Sequence, residues 1–373
     1  MDNSNIGTDT FKVVEARNPP SNAIGPIAWM RTSLFSSPVN TLLTVFFAYI
    51  IIKYIPPIID WAFISANWVG TTQDECTKSG ACWIFIKQWG SQLLYGSFPE
   101  HLHWRVNLAL IGLVAVVVLQ FFLPQHLRRR VGWVSLLVYP LISLWLMAGG
   151  LGLETVSTDK WGGFSLNILL AFAGILMSLP IGIVWALGRQ SDMPFVKMVC
   201  VSSIELFRGV PLITILFMGS VMLPLFFPAG VQLDKLMRAF IAITLFQSAY
   251  MAEVIRGGLQ AIPKGQVEAA NSLGLGYWKT MRLIVLPQAL KISIPNIVNT
   301  FIALFKDTTL VLIIGLFEVL STIQAALQNS NWLGGHHIEG YVFVAFVFWV
   351  FCYTMSRISV HIEKKLDTGL SRS

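Results

Sequence analysis

Eight runs of mainly apolar residues, each close to the length of a bilayer crossing, dominate this chain of 373 residues. They fall at about 39–59, 106–123, 131–153, 164–188, 206–228, 237–255, 292–315 and 340–360. A spanning helix needs roughly 20 such residues, so the sequence predicts an all-α, polytopic membrane protein with about eight transmembrane helices. The charge content agrees. Only 12% of residues are charged, about half of what a water-soluble surface carries. The net charge of +7 raises the question of nucleic acid, but the basic residues are sorted by loop, which argues for a membrane and against nucleic acid.

That sorting sets an expected orientation, because Lys and Arg collect in cytoplasmic loops. With the N-terminus inside, eighteen basic residues fall on the cytoplasmic side, including Arg128-Arg129-Arg130 and five between Arg256 and Lys291, against six outside. Lys53 and Lys306 lie within apolar runs. Both termini are therefore expected in the cytoplasm. Residues 1–38 are mixed and polar, without a basic start leading into an apolar core, so the first run is expected to stay in the membrane. Segment 60–105 becomes one long extracytoplasmic stretch. Its tryptophans (Trp61, Trp68, Trp83, Trp89, Trp104) read as interfacial anchors or as a partner surface. Cys76 and Cys82 in that stretch are either locally bridged or two separate thiols. Cys200 is expected on a cytoplasmic loop and Cys352 in a membrane helix.

One segment breaks the apolar pattern. Between Arg256 and Lys291 the chain reads RGGLQAIPKGQVEAANSLGLGYWKTMRLIVLPQALK. Gly257-Gly258 and Pro263 are expected to break the preceding helix. Gln266–Leu273 then favours a short helix, Gly274-Leu275-Gly276 a sharp turn, and Tyr277–Val285 a second amphipathic stretch, with Pro287 at the start of the next span. Small residues at Ala269 and Ala270 would let another backbone approach, so the segment reads as a docking element facing water.

Glu268, Ala269, Ala270, Gly274, Ile284, Leu286 and Pro287 fill every fixed position of a known pattern. The segment resembles the EAA loop of ABC-importer permeases. Three further stretches extend the resemblance: Glu205–Leu212 (ELFRGVPL), Ala249–Gly258 (AYMAEVIRGG) and Lys306–Leu310 (KDTTL). These are similar to permeases of the polar amino acid branch. The resemblance covers about residues 160–365, and the longer N-terminal part resembles the M-type permeases of general L-amino acid importers. It implies a type I permease core of five helices at 161–365, carrying the coupling loop 256–291. Before it come a cytoplasmic segment at 1–38 and three additional helices at 39–160; after it comes a tail at 366–373.

The resemblance also implies a bacterial cytoplasmic membrane, two copies of an ABC ATPase, an extracytoplasmic solute-binding protein and a second, related permease chain forming a heterodimer. The expected cargo is L-amino acids of broad range, with acidic amino acids and their amides as the alternative. The sequence has no G-x-x-x-x-G-K-[ST] loop, so no cofactor is expected in this chain, and ATP and Mg belong to the partner ATPase. No catalytic residue or metal site is expected; His336-His337 reads as a solvated pair. A channel would need a filter or charged pore ring and a secondary transporter two similar halves, neither of which is evident.

Charged residues in or beside the spans complete the candidates. Lys306 and Asp307, with Thr308 and Thr309, lie where an unpaired charge costs a few kcal/mol. They read as part of a gating network, of the substrate pathway, or of a misplaced span boundary. Glu205 with Arg208, and Glu253 with Arg256, each three residues apart, read as intracellular ion pairs, ATPase contacts or interfacial anchors.

Overall fold

A computed structural model describes residues 25–77, 79–228, 233–332 and 337–366. The chain divides into two compact units. The smaller comprises residues up to Asn67 together with Thr77–Ala81. Its main element is α1 (Pro38–Ile59), capped by the Ser37 side chain, which accepts from the Asn40 N–H. Lys53 on this helix lies 5.3 Å and 5.5 Å from the ring centres of Tyr49 and Tyr54. The aromatic faces give the cation a partner within an otherwise apolar helix.

The larger unit holds α2 (Trp83–Tyr95), α3 (His103–Phe122), α4 (Gln125–Ala148), α5 (Gly163–Arg189), α6 (Pro194–Gly209), α7 (Leu212–Phe217), α8 (Lys235–Gln260), α9 (Lys264–Ser272), α10 (Tyr277–Thr280), α11 (Leu286–Asp307), α12 (Val319–Leu327) and α13 (His337–Leu366). No strand occurs among the described residues. The fold is all-α. Among the described residues, six helices are long and apolar enough to cross a membrane, or seven if the bent pair α6–α7 counts as one span.

Two of the expected eight runs take a different form. Residues 206–228 do not form one straight crossing. Pro211 keeps Val210 out of the helical region, and the chain turns by 105° between α6 and the segment that begins with α7. Residues 131–153 are shifted. The helix starts at Gln125 and stops at Ala148, so arginines occupy its early turns and the uncharged, apolar run from Val131 follows them. At 24 residues it is still about 36 Å long.

Segment 60–105 is not simply a loop. Its second half folds into α2, whose Ile84, Phe85 and Leu93 are buried, and α2 packs on α5, α12 and α13. Phe85 meets Trp332 edge to face at 5.5 Å. Cys76 and Cys82 are disulfide-bonded. The Cys82 N–H, at the start of α2, donates to Glu339 Oε1 on α13 at 3.1 Å. Cys200 is buried within α6 rather than on a loop.

The centre of the larger unit is the pair α5 and α8. Along α8, Leu236, Ala239, Ile243, Phe246, Met251 and Ile255 are buried, the spacing of one helix face. The two helices approach closely at Gly182, where an added Cβ would lie 2.7 Å from Met251 Cβ. Helix α8 also runs unbroken through Gly257-Gly258, contrary to the expected break. Gly258 serves packing: a Cβ there would sit 2.5 Å from the Ala289 carbonyl oxygen of α11. Gly258→Val is therefore expected to push α8 and α11 apart and to cost about 1–3 kcal/mol, read as a lowered unfolding midpoint. A midpoint equal to that of the parent chain would refute the tight crossing.

Candidate functional site

The segment between α8 and α11 folds as two short helices around one sharp turn. Helix α9 ends in a paired-bond motif. The Leu275 N–H donates to the Ala270 carbonyl at 3.1 Å and the Gly274 N–H to the Asn271 carbonyl at 2.9 Å. This closure requires a left-handed residue at the turn, and Gly274 supplies it with φ +73°. Thr280, buried at the end of α10, directs its hydroxyl to the Leu275 carbonyl at 3.4 Å. Residues Met281–Val285 then form a π-helical turn that runs straight into α11. Pro287 has no N–H to give to the preceding turn and clashes with a regular one; the wider π turn, with the Leu286 N–H reaching back to the Met281 carbonyl, accommodates it.

The turn presents a surface that sequence reasoning did not single out. Ala270 is buried and faces inward, whereas Glu268, Ala269, Gly274 and Pro287 are exposed, and Ile284 and Leu286 are half-buried. Around them stand Leu273, Trp278 and Leu283, exposed at 79%, 72% and 65%. Tyr277 is also exposed and meets Trp278 edge to face at 5.3 Å. The available signal was a run of large apolar residues alternating with charges in an otherwise polar loop.

Beside this turn, the ends of α5, α6 and α8 share a cluster of charges. Glu253 on α8 receives Arg189 of α5 at 3.4 Å, Arg208 of α6 at 3.5 Å, and the Arg256 Nε at 2.7 Å. Glu205 pairs with Arg189 at 3.1 Å. The expected pairing of Glu205 with Arg208 is therefore replaced by bonds between helices. Residues one turn apart on one helix were the only partners visible in the sequence, and Arg189, some distance upstream, was not.

Toward the middle of the unit, α8 and α11 line a groove of about 450 Å³, with Gln247 and Tyr250 on one wall and Asn296, Asn299, Thr300 and Asp307 on the other. Gln247 donates to the Thr300 carbonyl at 2.7 Å. The KDTT residues do not act as one cluster. Asp307 faces the groove, Lys306 is exposed, and Thr309 hydrogen-bonds back to the Lys306 carbonyl at 2.9 Å. Thr308 is fully buried and accepts from Asn167 Nδ2 at 3.0 Å.

Asn167 leads to a second residue that the sequence reading missed. Glu318 is fully buried and caps α12, accepting from the Leu320 and Ser321 N–H groups at 2.9 and 2.8 Å and from Asn167 Nδ2 at 3.1 Å. Asn167 Oδ1 in turn accepts the Val319 N–H at 3.2 Å. One amide and one carboxylate thus join α5, the 3-10 turn at Thr308–Ile314, and α12.

The sequence that folds into this helical bundle, with an exposed turn between α8 and α11, has known counterparts. Residues 178–368 match the family described as the inner membrane component of binding-protein-dependent transport systems. The chain belongs to this family. It is 53% identical to the inner membrane amino-acid ABC transporter permease protein YhdY of Escherichia coli (strain K12), over 93% of this chain and 95% of that one. The glutamate/glutamine/aspartate/asparagine transport system permease protein BztC of Rhodobacter capsulatus is 38% identical over 95% of this chain and 97% of its own length. The probable glutamine permease GlnP of Bacillus subtilis is 34% identical, with 91% of its length covering 54% of this chain. As a member of the family, this chain is the permease subunit of an ABC importer, a transport component and not itself an enzyme. Nearly half of it lies outside what the shorter glutamine-type permease matches.

Proposed function

We propose that this permease carries L-amino acids of broad range across the bacterial cytoplasmic membrane, driven by a separate ATPase that docks on the turn between α9 and α10. One observation carries the coupling reading: Leu273, Trp278 and Leu283 stand exposed on a closed, hydrogen-bonded turn. Large apolar side chains in water mark a contact surface. Two ATPase copies bind ATP and Mg, and this chain holds no cofactor. A second, related permease forms a heterodimer with it, and an extracytoplasmic solute-binding protein delivers the cargo. Both termini lie in the cytoplasm. The groove between α8 and α11 is the cargo path, with Asp307 available to an ammonium group and Asn296, Asn299 and Gln247 to polar atoms.

The test is uptake of labelled basic, neutral and acidic L-amino acids by cells carrying the full system. In the isolated chain, nothing lies within 4 Å of a Cβ at Gly274. Asp and Asn are the side chains that best tolerate the left-handed backbone, so Gly274→Asp and Gly274→Asn carry a similar strain at φ +73° and differ in the charge added to the docking face. Uptake of all three classes is expected to collapse with Gly274→Asp and to persist substantially with Gly274→Asn. Loss confined to the acidic class would favour a permease for acidic amino acids and their amides, a reading supported by the 38% identity to the permease named for those four substrates. Unchanged uptake in the Asp variant would end the docking hypothesis.

A further inference from the structure

The hairpin of α3 and α4 precedes residues 178–368, so it lies outside the part that matches the family. Between these two helices runs a groove of about 480 Å³, formed by Leu108, Gly112 and Val116 on α3 and Val131, Val134 and Val138 on α4. It extends along α4 from Val131 to Leu146, roughly 22 Å at 1.5 Å per residue. One leaflet of a hydrocarbon core is only about 15 Å deep. The two hydroxyls that line the groove are already engaged, Tyr139 with the Ala109 carbonyl and Ser135 with the Gly132 carbonyl. Nothing along its length therefore asks for a polar partner. Gly112 creates part of the recess, since a Cβ there would meet the Tyr139 ring at 3.1 Å.

The sequence places charge at one end of this groove. Arg128, Arg129 and Arg130 immediately precede the lining residue Val131, in the early turns of α4. No Asp or Glu occurs between Glu100 and Glu154, so the hairpin has no anion of its own for these three cations. The same end of α4 lies toward the docking turn. Arg105 Nε of α3 binds the Leu146 carbonyl at 2.6 Å, which puts the C-terminal end of α4 beside the start of α3. The connection to α5 leaves from there, and α5 runs to Arg189 at the opposite end, beside Glu253.

We infer that the α3–α4 groove is a binding site for an anionic phospholipid, with an acyl chain along the valines and its phosphate at the Arg128–Arg130 end. Uncharged walls the length of an acyl chain, ending at three consecutive arginines in a hairpin whose sequence carries no Asp or Glu, suit an anionic headgroup on the side of the docking turn. The inference does not depend on the identity of the cargo or on the coupling mechanism.

The test measures lipid retained by the full importer after solubilisation and purification from membranes containing phosphatidylglycerol, cardiolipin and phosphatidylethanolamine. Extracted lipid is quantified by mass spectrometry for the parent and three variants. Combined Arg128→Gln, Arg129→Gln and Arg130→Gln, and separately Val134→Trp to fill the groove, are each expected to lower retained anionic lipid several-fold while phosphatidylethanolamine stays unchanged. The corresponding triple Lys variant, which keeps the charge and the topological signal, is expected to retain it. Parental retention in Val134→Trp would show surface attraction without a groove site, and parental retention in the triple Gln variant would show a groove indifferent to headgroup; either result overturns the inference. So would a photo-crosslinker at position 134 that captures another polypeptide in place of lipid.

Discussion

Glu253→Gln is expected to loosen the clustered ends of three helices at once and to abolish most uptake. One carboxylate there holds Arg189, Arg208 and Arg256, and its side chain is only 21% exposed. Removing the charge leaves three cations close together with Glu205 as their remaining neighbour. Breaking a fully buried pair costs about 3–5 kcal/mol, and partial solvent access reduces that here to about 1–3 kcal/mol. Glu205→Gln is the internal comparison. Its side chain is 57% exposed and binds Arg189 alone, so its cost should stay below about 1 kcal/mol. Thermal unfolding of the purified chain, run beside uptake in cells, reads both. If the two variants unfold at the same midpoint, Glu253 is not the common anchor of α5, α6 and α8.

Glu318→Ala is expected to be the most damaging single change outside the helix interiors. The substitution removes the cap of α12 and leaves the Leu320 and Ser321 N–H groups without their acceptor. It also strips one partner from Asn167 in a fully buried setting. A lost cap alone costs about 1 kcal/mol, and each buried group left unsatisfied adds about 1–3 kcal/mol. A total of about 3–5 kcal/mol follows, seen as a lower unfolding midpoint and a reduced amount of protein in the membrane. Asn167→Ala should be costly as well. Because the two side chains share one network, the double variant should lose clearly less than the sum of the single losses. Additive losses, or a Glu318→Ala chain within about 1 kcal/mol of the parent, would show that the network does not join α5 to α12.

Neither residue could be weighed equally from the sequence. Glu253 stood out because a signature run contains it, yet its partners come from α5 and α6, and only packing brings those helices together. Glu318 follows an apolar run with no charged neighbour nearby, and Asn167 is a single amide inside a span, so nothing local marked either one. The spans themselves were legible wherever hydropathy alone decides, as in α5, α8 and α13. Hydropathy fails where direction matters: it is blind to the bend that Pro211 imposes after α6. It also missed α2, because 13 residues are too few to read as a crossing yet enough to fill a core. Arg105 shows the same limit. Counted as a loop charge in the sequence, it is fully buried and binds the carbonyls of Leu146 and Glu154 at 2.6 and 2.9 Å. The turn at Gly274 was legible because glycine at a left-handed position is a local requirement, whereas the exposure of Trp278 was not.

The helices that flank the turn at Gly274, α8 and α11, are the same two that wall the groove at Asp307, and they touch at Gly258 with no room for a methyl group. Under the function proposed above, a ligand that favours one arrangement of this pair at either end biases the other end as well. Linkage makes such a bias mutual: whatever factor nucleotide imposes on the groove's affinity for cargo, cargo in the groove must impose on the nucleotide affinity at the other end. Under that proposal, an empty importer and a loaded one differ in how tightly they hold ATP wherever the factor departs from one, a thermodynamic debt between two sites that never touch.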